Sequence, residues 1–499
     1  MEFAADIKNL MMPEIILFVG ALLLCFIGIL TDKAYKRVFA IVVLMLGLSF
    51  LMCLQLDTDT VSMAFGGSFL ISKFTVFFKE LILAGTVATI FLSDKYIKQN
   101  QKSVAEFYML LFVAALGGMI LVSSRDFVTM FVSLETLSIS SYILSGFIKE
   151  KNSQEATLKY LVTGCVASAV ILYGVSLLYG MSGSLRFDVI FAAIKSASMF
   201  NIAALSGTLV ISGLCFKLAT IPFYNWAPDV YEKSPLAVSA FLSTVSKVAG
   251  FGIIIRLVSE LFNGIWILYL VLGLIALVSM AIGNLLGLCE ENVKRLMAYS
   301  SIAHAGYVLA VLALGSTLSL SSAVFYIITY LLMNFAAWSC LEVLDNGDGV
   351  TTESLKGLAY KRPVLAFCMV SAFASLAGLP IFIGFFSKFY LFQAIVFAGL
   401  LLYPFLIFVL LNSLIALYYY LKVIRAMFEE QESTQAIFLS KRLAVVLIFS
   451  TVMVFLAGIF SSPVITYSQQ IAQSQMPAVI QYEAIKGTYF DNPRPISVR

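Results

Sequence analysis

The sequence predicts an all-α polytopic membrane protein with about 14 transmembrane helices. Of its 499 residues, 61% are hydrophobic and only 12% are charged, and the mean hydropathy is +0.97. That composition offers too little polar surface to cover a soluble globule of this size. The apolar residues also fall into runs of about 20, which is the length that a helix needs to cross a bilayer core.

Charged and turn-forming residues separate the candidate spans. The first span follows an acidic leader and is followed by further apolar runs, so we expect it to be retained rather than cleaved as a signal peptide. After the last span, a polar tail is predicted to begin at about Gln469. The spans lie near 13–30, 38–56, 69–92, 105–122, 126–147, 157–179, 201–221, 236–257, 265–286, 293–315, 319–343, 363–395, 402–427 and 443–465.

The basic residues of the loops predict an orientation. Eighteen Lys and Arg residues lie in loops that follow odd-numbered spans, whereas five lie in loops that follow even-numbered spans. Loops rich in Lys and Arg remain in the cytoplasm. The bias therefore predicts that both termini lie on the non-cytoplasmic side, in agreement with an even number of spans.

Ionisable residues inside the spans are the main functional signal. They are Glu135, Lys217, Lys247, His304 and Lys388. Each costs about 2.5–3.5 kcal/mol on insertion scales, so such residues are rarely retained in a membrane without a function. Glu135, Lys247 and His304 lie at the midpoints of their spans, which predicts a row parallel to the membrane and favours lateral proton relay. The alternative is a static ion pair between Glu135 and one lysine that fixes helix register.

Prolines interrupt two of the spans near a lysine. Pro222 follows Lys217 by five residues in span seven, and Pro380 precedes Lys388 by eight residues in span twelve. Broken helices are tolerated in membranes where they line protein or water-filled cavities, so each break predicts a hydrated half-channel. A simple proline kink is the alternative. Corresponding breaks in spans of opposite direction indicate two inverted five-helix repeats.

The remaining composition argues against several site types. The seven cysteines are scattered without a C-x-x-C pair, so neither a metal site nor a disulfide framework is predicted. The sequence has no Gly-rich phosphate loop and no haem or iron–sulfur pattern. The basic residues do not cluster as they do in nucleic-acid-binding proteins. We therefore expect no cofactor bound by this chain and no nucleic-acid partner.

Several segments of the sequence form a recognisable set. They are 134–135 with Tyr142, 155–160, 216–223, 226–231, 243–247, 294–307, and 378–380 with Lys388. Together they resemble the antiporter-like subunit N of the proton-pumping NADH:quinone oxidoreductase, respiratory complex I. The resemblance is strong from about 105 to 427.

The resemblance implies a role for each buried ionisable residue. Glu135 and Lys217 would form a carboxylate–lysine pair, Lys247 would be the central relay lysine, and Lys388 the distal one. His304 occupies the position of a membrane histidine. The family's function would make this chain a translocase subunit that moves protons while partner subunits oxidise NADH and reduce quinone.

The resemblance also implies domains and partners. We expect an N-terminal three-helix segment at 1–104, antiporter-like repeats at 105–260 and 261–430, and a C-terminal helix with a polar tail at 431–499. FMN and iron–sulfur clusters are expected in partner subunits, and the partners are other membrane-arm subunits. The expected location is a bacterial inner membrane, with a thylakoid or organelle membrane as the alternative.

One departure and two rival functions stand beside this interpretation. The family commonly has a histidine two residues after the first break, where this chain has Tyr224. Tyrosine can pass on a hydrogen bond but rarely carries the proton at neutral pH, so any step assigned to that histidine is in doubt here. Tyr224 is equally explained as an interfacial aromatic residue.

The rival functions are a subunit of a multi-subunit Na⁺/H⁺ antiporter and a purely structural component of the membrane arm.

Overall fold

Long apolar helices dominate the computed structural model of the chain. It describes residues 10–30, 35–58, 61–99, 103–147, 151–195, 200–345, 349–430 and 439–475. Within these ranges, twelve helices are long and apolar enough to cross a membrane by length and composition. The predicted fold class, an all-α polytopic membrane protein, is confirmed; the exact number of spans and the repeats stay predictions.

The first part of the chain is a helical segment with one short hairpin. In the hairpin, β1 Ser62–Ala64 pairs antiparallel with β2 Phe69–Ile71. The helices are α1 Met12–Leu30, α2 Tyr35–Leu54, α3 Lys73–Leu92 and α4 Asp94–Gln99. Ser72 caps α3 by accepting a hydrogen bond from the Thr75 backbone N–H, which satisfies a donor that the first turn would leave unpaired.

The next part contains the first predicted break. Its helices are α5 Val104–Ser123, α6 Phe127–Ser145, α7 Lys151–Ser182, α8 Phe187–Lys195, α9 Phe200–Leu218, α10 Trp226–Lys233, α11 Leu236–Ser243 and α12 Val245–Arg256. The backbone leaves helical geometry between α9 and α10, where Ala219 has a φ of 53° and Pro222 follows. A proline cannot donate the backbone hydrogen bond that would continue the helix. Span seven is therefore interrupted as predicted.

A third break was not predicted by the sequence. Span eight is divided between α11 and α12 at Thr244, whose φ and ψ are −117° and −77°. No proline lies at this position. The break lies three residues before Lys247, so it frees backbone groups close to the central lysine.

The second half continues the same architecture. Its helices are α13 Trp266–Cys289, α14 Val293–Leu312, α15 Thr317–Leu344, α16 Leu358–Lys361, α17 Pro363–Ala377, α18 Ile383–Phe397 and α19 Tyr403–Ala426. Span twelve is interrupted between α17 and α18, where Gly378 adopts a left-handed φ of 86° just before Pro380. Glycine reaches this conformation without the penalty that a Cβ would bring.

The chain ends its described part with two helices, α20 Lys441–Ile459 and α21 Ser461–Gln475. The tail predicted from Gln469 is wrong in its first residues, because 469–475 belong to α21 and Gln475 is buried. Side-chain amides that bond across the bundle explain the difference: Gln475 donates to Glu260 at 2.6 Å, and Gln469 to Tyr390 at 3.1 Å. The rest of the predicted tail lies outside the described residues.

The burial of the individual helices shows which of them lie at the centre of the bundle. The most apolar window of the span formed by α11 and α12 is 100% buried, whereas the corresponding window of α19 is 17% buried. A helix buried all round lies in the interior, and one exposed along most of its surface faces lipid. Lys247 thus lies at the centre of the bundle.

Candidate proton path within the membrane

The five ionisable residues singled out by the sequence lie on five different helices. Glu135 is on α6, Lys217 on α9, Lys247 on α12, His304 on α14 and Lys388 on α18. Both His304 and the three lysines are buried, and Glu135 is half-buried. Burial of three lysines and a single imidazole in an apolar bundle demands compensating polar contacts.

Lys217 and Glu135 do not form an ion pair in the structure. The Lys217 ammonium lies in the last turn of α9, fully buried, and its Nζ has no hydrogen-bond partner among the described residues. The Glu135 carboxylate instead accepts a hydrogen bond from Ser168 Oγ on α7 at 2.5 Å. The predicted functional pairing of the two residues stays a prediction.

Lys247 binds the neighbouring helix α14. Its Nζ donates to the Ser301 carbonyl oxygen at 2.8 Å and to Ser301 Oγ at 3.0 Å. The break at Thr244 starts a new helix only one turn before Lys247. Lys247 thereby lies within hydrogen-bonding range of a backbone acceptor and of a hydroxyl that both donates and accepts.

His304 is held between two tyrosines. Its Nδ1 lies 2.8 Å from the Tyr326 hydroxyl on α15, and its Nε2 lies 3.1 Å from the Tyr420 hydroxyl on α19. The Tyr420 hydroxyl also bonds Ser300 Oγ. Ser300 precedes Ser301, the partner of Lys247. The Ser301 hydroxyl donates to the Ala298 carbonyl oxygen at 2.8 Å, so the described hydrogen bonds bring the two serine hydroxyls to adjacent positions without joining them. Within the part of the chain that the structure describes, neither a backbone carbonyl nor a serine bonds the ring directly.

Lys388 binds across the second break. Its Nζ donates to the Ala377 carbonyl oxygen at 2.8 Å, and it lies 5.7 Å from the centroid of the Tyr307 ring. The carbonyls at the end of α17 lack helical partners and carry the negative end of the helix dipole. A Cβ on Gly378 would lie 2.8 Å from Lys388 Cδ, so a side chain at this position would crowd the lysine.

A polar cluster next to Tyr307 was missed by the sequence. The Tyr307 hydroxyl accepts a hydrogen bond from Asn284 at 3.4 Å, and Asn284 also donates to the Asn412 side chain at 3.1 Å. Tyr419 donates to Asn284 Oδ1 at 3.2 Å. The signals in the sequence are two asparagines within apolar spans, Asn284 near the end of span nine and Asn412 near the middle of span thirteen, and they do not identify the partners.

A buried ion pair in the N-terminal segment was also missed. Lys79 Nζ on α3 lies 2.8 Å from Glu14 Oε1 on α1, and both side chains are buried. The ammonium also lies 4.6 Å above the ring of Phe69. In the sequence, Lys79 and Glu80 are adjacent charges within the third span, and nothing there identifies a partner for either. In the structure, Lys79 pairs with Glu14, and Glu80 is half-buried.

Ion pairs at the end of the bundle with the basic loops join several helices. Asp229 on α10 pairs with Lys159 on α7 at 2.9 Å and with Arg295 on α14 at 2.9 Å. Arg295 also pairs with Glu232 and Glu290, each at 3.1 Å. Partial burial raises the pKa of Asp229, but the hydrogen bonds from Lys159 and Arg295 outweigh it, so the pKa of Asp229 lies below its usual value.

Tyr224 lies in the turn between α9 and α10 and is half-buried. Among the described residues, no hydrogen bond joins its hydroxyl to Lys247 or His304. No group of three or more His, Cys, Asp or Glu residues in the described ranges could hold a metal ion.

Comparison with known proteins identifies the family. A family model described as NADH:quinone oxidoreductase/Mrp antiporter, TM, matches residues 124–416. That match covers more than half of the chain. The chain belongs to the NADH:quinone oxidoreductase/Mrp antiporter family. The matched region of this family member includes all five ionisable residues of the candidate path.

Relatives of this family member are similar over most of its length. NAD(P)H-quinone oxidoreductase subunit 2 of Thermosynechococcus vestitus is 37% identical over 473 residues, which cover 91% of this chain and 90% of the relative. The protein of the same name from Gloeobacter violaceus is 40% identical over 418 residues and covers 81% of this chain and 80% of the relative.

Solved structures share the fold. A chain of respiratory complex I from Thermus thermophilus has a TM-score of 0.79 and 32% identity, and the match covers 91% of this chain and 99% of that one. A chain of the Mrp complex from Dietzia sp. has a TM-score of 0.81 at 20% identity, covering 94% of this chain and 98% of that one. The second likeness shows the fold alone.

Proposed function

We propose that this chain is the antiporter-like subunit N of a proton-pumping NADH:quinone oxidoreductase. It translocates protons while partner subunits oxidise NADH and reduce quinone. The observation that carries the proposal is that Lys247 and His304, both buried, are bonded to hydroxyl groups at adjacent positions of α14. Lys247 binds Ser301, and His304 binds the Tyr420 hydroxyl that also bonds Ser300. Such an arrangement brings titratable groups close together laterally, inside the membrane.

The chemistry of the connected groups suits proton transfer. Serine and tyrosine hydroxyls donate one hydrogen bond and accept others, and imidazole donates from one nitrogen while it accepts at the other. A lysine in an apolar interior is pushed towards its neutral form, so it can release and regain a proton during turnover. The Ser301 carbonyl and hydroxyl hold the charged form of Lys247. In this proposal, a proton that leaves Lys247 passes towards the Tyr420 hydroxyl and His304 when the Ser301 hydroxyl turns from the Ala298 carbonyl oxygen towards Ser300.

The broken helices supply the two ends of the path in this proposal. Lys217 lies at the break between α9 and α10, and Lys388 at the break between α17 and α18. Glu135 supports the charged form of Lys217 when its carboxylate turns from Ser168 towards the lysine. Lys388 takes its proton next to the free carbonyls of α17, which stabilise its ammonium form. It releases the proton when no further group stabilises the ammonium beside those carbonyls.

The complex as a whole supplies the redox chemistry. We assign FMN and the iron–sulfur clusters to partner subunits, and we place this chain beside other antiporter-like and small subunits of the membrane arm. The complex is an enzyme of the translocase class, and this chain contributes the proton path. We infer from the loop charges that both termini lie on the non-cytoplasmic side of a bacterial inner membrane, or on the equivalent side of a thylakoid membrane.

The rival function, a subunit of a multi-subunit Na⁺/H⁺ antiporter, is less well supported. The family description names both kinds of complex. The relatives at 37% and 40% identity are named as quinone oxidoreductase subunits, whereas the Mrp chain is only 20% identical. The greater similarity favours the oxidoreductase.

The test is Lys247→Ala in the assembled complex. Loss of the central relay group should lower proton pumping and coupled quinone reductase turnover by about tenfold or more, because positioned proton-transfer groups contribute at least this much. Assembly should survive. Lys98→Arg, at a partly exposed position outside the path, is the matched control. Normal pumping by an assembled Lys247→Ala complex would remove the basis of the proposal.

A further inference from the structure

One face of α15 carries polar side chains that meet the break in span eight. Tyr326, Tyr330, Asn334 and Trp338 follow one another at intervals of four residues, and all are buried. Residues four apart on a helix are neighbours on its surface. The Trp338 indole N–H donates to Ser243 Oγ at 2.8 Å, and the Tyr330 hydroxyl donates to the Ser243 carbonyl oxygen at 2.9 Å. Two donors from one helix therefore converge on the last residue of α11.

The Ser243 carbonyl oxygen lies where the helical hydrogen-bond pattern of span eight changes. In a continuous α-helix, this oxygen would accept a hydrogen bond from the backbone N–H of Lys247, four residues further on. At the break, Thr244 has φ and ψ of −117° and −77°, and the Tyr330 hydroxyl supplies a donor from another helix. A buried carbonyl oxygen at a helix end needs such a partner. Donors from α15 thus stabilise the broken form of span eight against the continuous one.

Trp338 contacts the break without contacting the groups of the candidate path. The Tyr330 ring lies 5.5 Å from the His304 ring, so a change at Tyr330 would disturb the imidazole directly. Trp338 lies eight residues further along α15, is fully buried, and has its ring 6.2 Å from the ring of Tyr231. Among the described residues, no hydrogen bond or ring contact joins Trp338 to Lys247 or His304. Its effect on the path therefore acts through Ser243.

A second helix also fits closely against the break. A Cβ on Gly85 of α3 would lie 2.5 Å from Val245 Cγ2, which is closer than packed atoms approach. Val245 is the first residue of α12, so α3 accommodates the break only because residue 85 has no side chain. Packed interiors transmit small displacements instead of absorbing them. The start of α12 is therefore fixed by α3 and α15, and so is the direction in which Lys247, two residues later, leaves the backbone.

We propose that Trp338 is a positioning residue for the central lysine, because its bond to Ser243 keeps span eight broken and thereby holds Lys247 at Ser301. In the broken form, Lys247 Nζ reaches the Ser301 carbonyl oxygen at 2.8 Å and the Ser301 hydroxyl at 3.0 Å. Without the indole N–H, span eight closes towards a continuous helix, which turns Lys247 away from these acceptors. Trp338 carries no proton, because an indole N–H donates but cannot accept. This inference rests on the proposed function.

The experiment compares Trp338→Phe, Ser243→Ala, Ser243→Thr and the double variant of the first two in the assembled complex. Trp338→Phe keeps an aromatic ring against Tyr231 but removes the N–H. Trp266→Phe, at a position that is 62% exposed on α13, is the matched control. Trp338→Phe and Ser243→Ala should each lower coupled quinone reductase turnover by about two- to tenfold, the factor that one buried hydrogen bond contributes. Ser243→Thr, which keeps the hydroxyl, should retain most of the turnover.

Two readouts distinguish positioning from packing. If Trp338 acts through Ser243, the effects of Trp338→Phe and Ser243→Ala should be non-additive in a double-mutant cycle. A misplaced Lys247 should also slow proton transfer relative to the other steps of turnover. The ratio of turnover in H₂O to turnover in D₂O should therefore exceed the wild-type ratio in both variants, whereas Trp266→Phe should keep the wild-type ratio.

The outcomes separate this inference from the proposed function. If Lys247→Ala is impaired while either Trp338→Phe or Ser243→Ala turns over normally, only the positioning role is wrong. If Lys247→Ala pumps normally, the proposed function fails, and the inference fails with it. Slow variants with additive effects, or with the wild-type isotope ratio, show a packing role and overturn the inference. If Trp338→Phe does not assemble, the Ser243 variants decide, and equal turnover in Ser243→Ala and Ser243→Thr overturns it.

Discussion

Lys388 Nζ donates a hydrogen bond of 2.8 Å to the Ala377 carbonyl oxygen, across the gap between the two halves of span twelve. The lysine belongs to α18, and the carbonyl is the last of α17. A break in a membrane helix exposes carbonyl oxygens that lipid cannot satisfy. The lysine satisfies one of them while it is charged, so the break and the lysine explain each other.

Lys388 has two separable roles, to neutralise the broken end of α17 and to carry protons. Substitution of Lys388 distinguishes them. Lys388→Arg keeps a cation that can bond the Ala377 carbonyl, but a guanidinium does not release its proton in a protein. If Lys388 carries protons, Lys388→Arg and Lys388→Met should both lower pumping by about tenfold or more, because either one removes a titratable group. The measurement is proton pumping and quinone reductase turnover in assembled complexes. Near-normal pumping by Lys388→Arg would show that the lysine only neutralises the broken helix end.

The structure allows a sharper test of the predicted interaction between Glu135 and Lys217 than the sequence alone does. Their charges are not in contact, and the carboxylate is bound by Ser168. If the carboxylate turns to Lys217 during turnover, Glu135→Gln and Lys217→Met should be non-additive in a double-mutant cycle on coupled activity, since groups that interact do not act independently. Ser168→Ala, which removes only the resting partner, should change activity less than either. Additive effects of the two main substitutions would argue against direct interaction.

The helices and two of the three breaks could be predicted because they depend on properties that are local in sequence. Apolar length defines a span, and Pro222 and Pro380 each remove a backbone donor. The break at Thr244 has no such signal, since hydrogen bonds from Trp338 and Tyr330 to Ser243 stabilise it from another helix.

The partners of the site residues could not be predicted either, because they come from helices that are distant in the sequence. The sequence shows that Lys247 and His304 are buried, because their spans are apolar all round. It does not show which neighbouring helix supplies their partners, since Tyr420 is more than a hundred residues from His304. The regular spacing of polar residues on α15 is visible in the sequence, but it becomes informative only when one face of that helix is known to meet His304.

The ion pairs of Asp229 predict a stability change with pH. The pKa of Asp229 is lower in the folded protein than the usual value near 3.9, so the pairs stabilise the fold above about pH 4 and are lost as the pH falls through the lowered pKa. Asp229→Asn should lower the thermal unfolding midpoint by about 2–4 °C at pH 7. The difference in unfolding midpoint between Asp229→Asn and wild type should become smaller below about pH 4. Glu155→Gln, at an exposed end of the same network, is the control. A gap that stays constant from pH 7 to 3 would contradict the assignment.

His304 is the single imidazole of the chain, and its two ring nitrogens bond Tyr326 and Tyr420. Glutamine can donate and accept as imidazole does, but it does not titrate. If His304 relays protons between Lys247 and Lys388, His304→Gln should lower pumping by about tenfold or more while the complex assembles. Tyr326→Phe and Tyr420→Phe, which leave the imidazole but remove one hydroxyl each, should slow turnover less than His304→Gln does. An unchanged proton-to-electron ratio and turnover in His304→Gln would mean that hydroxyl groups and water carry this step without the imidazole.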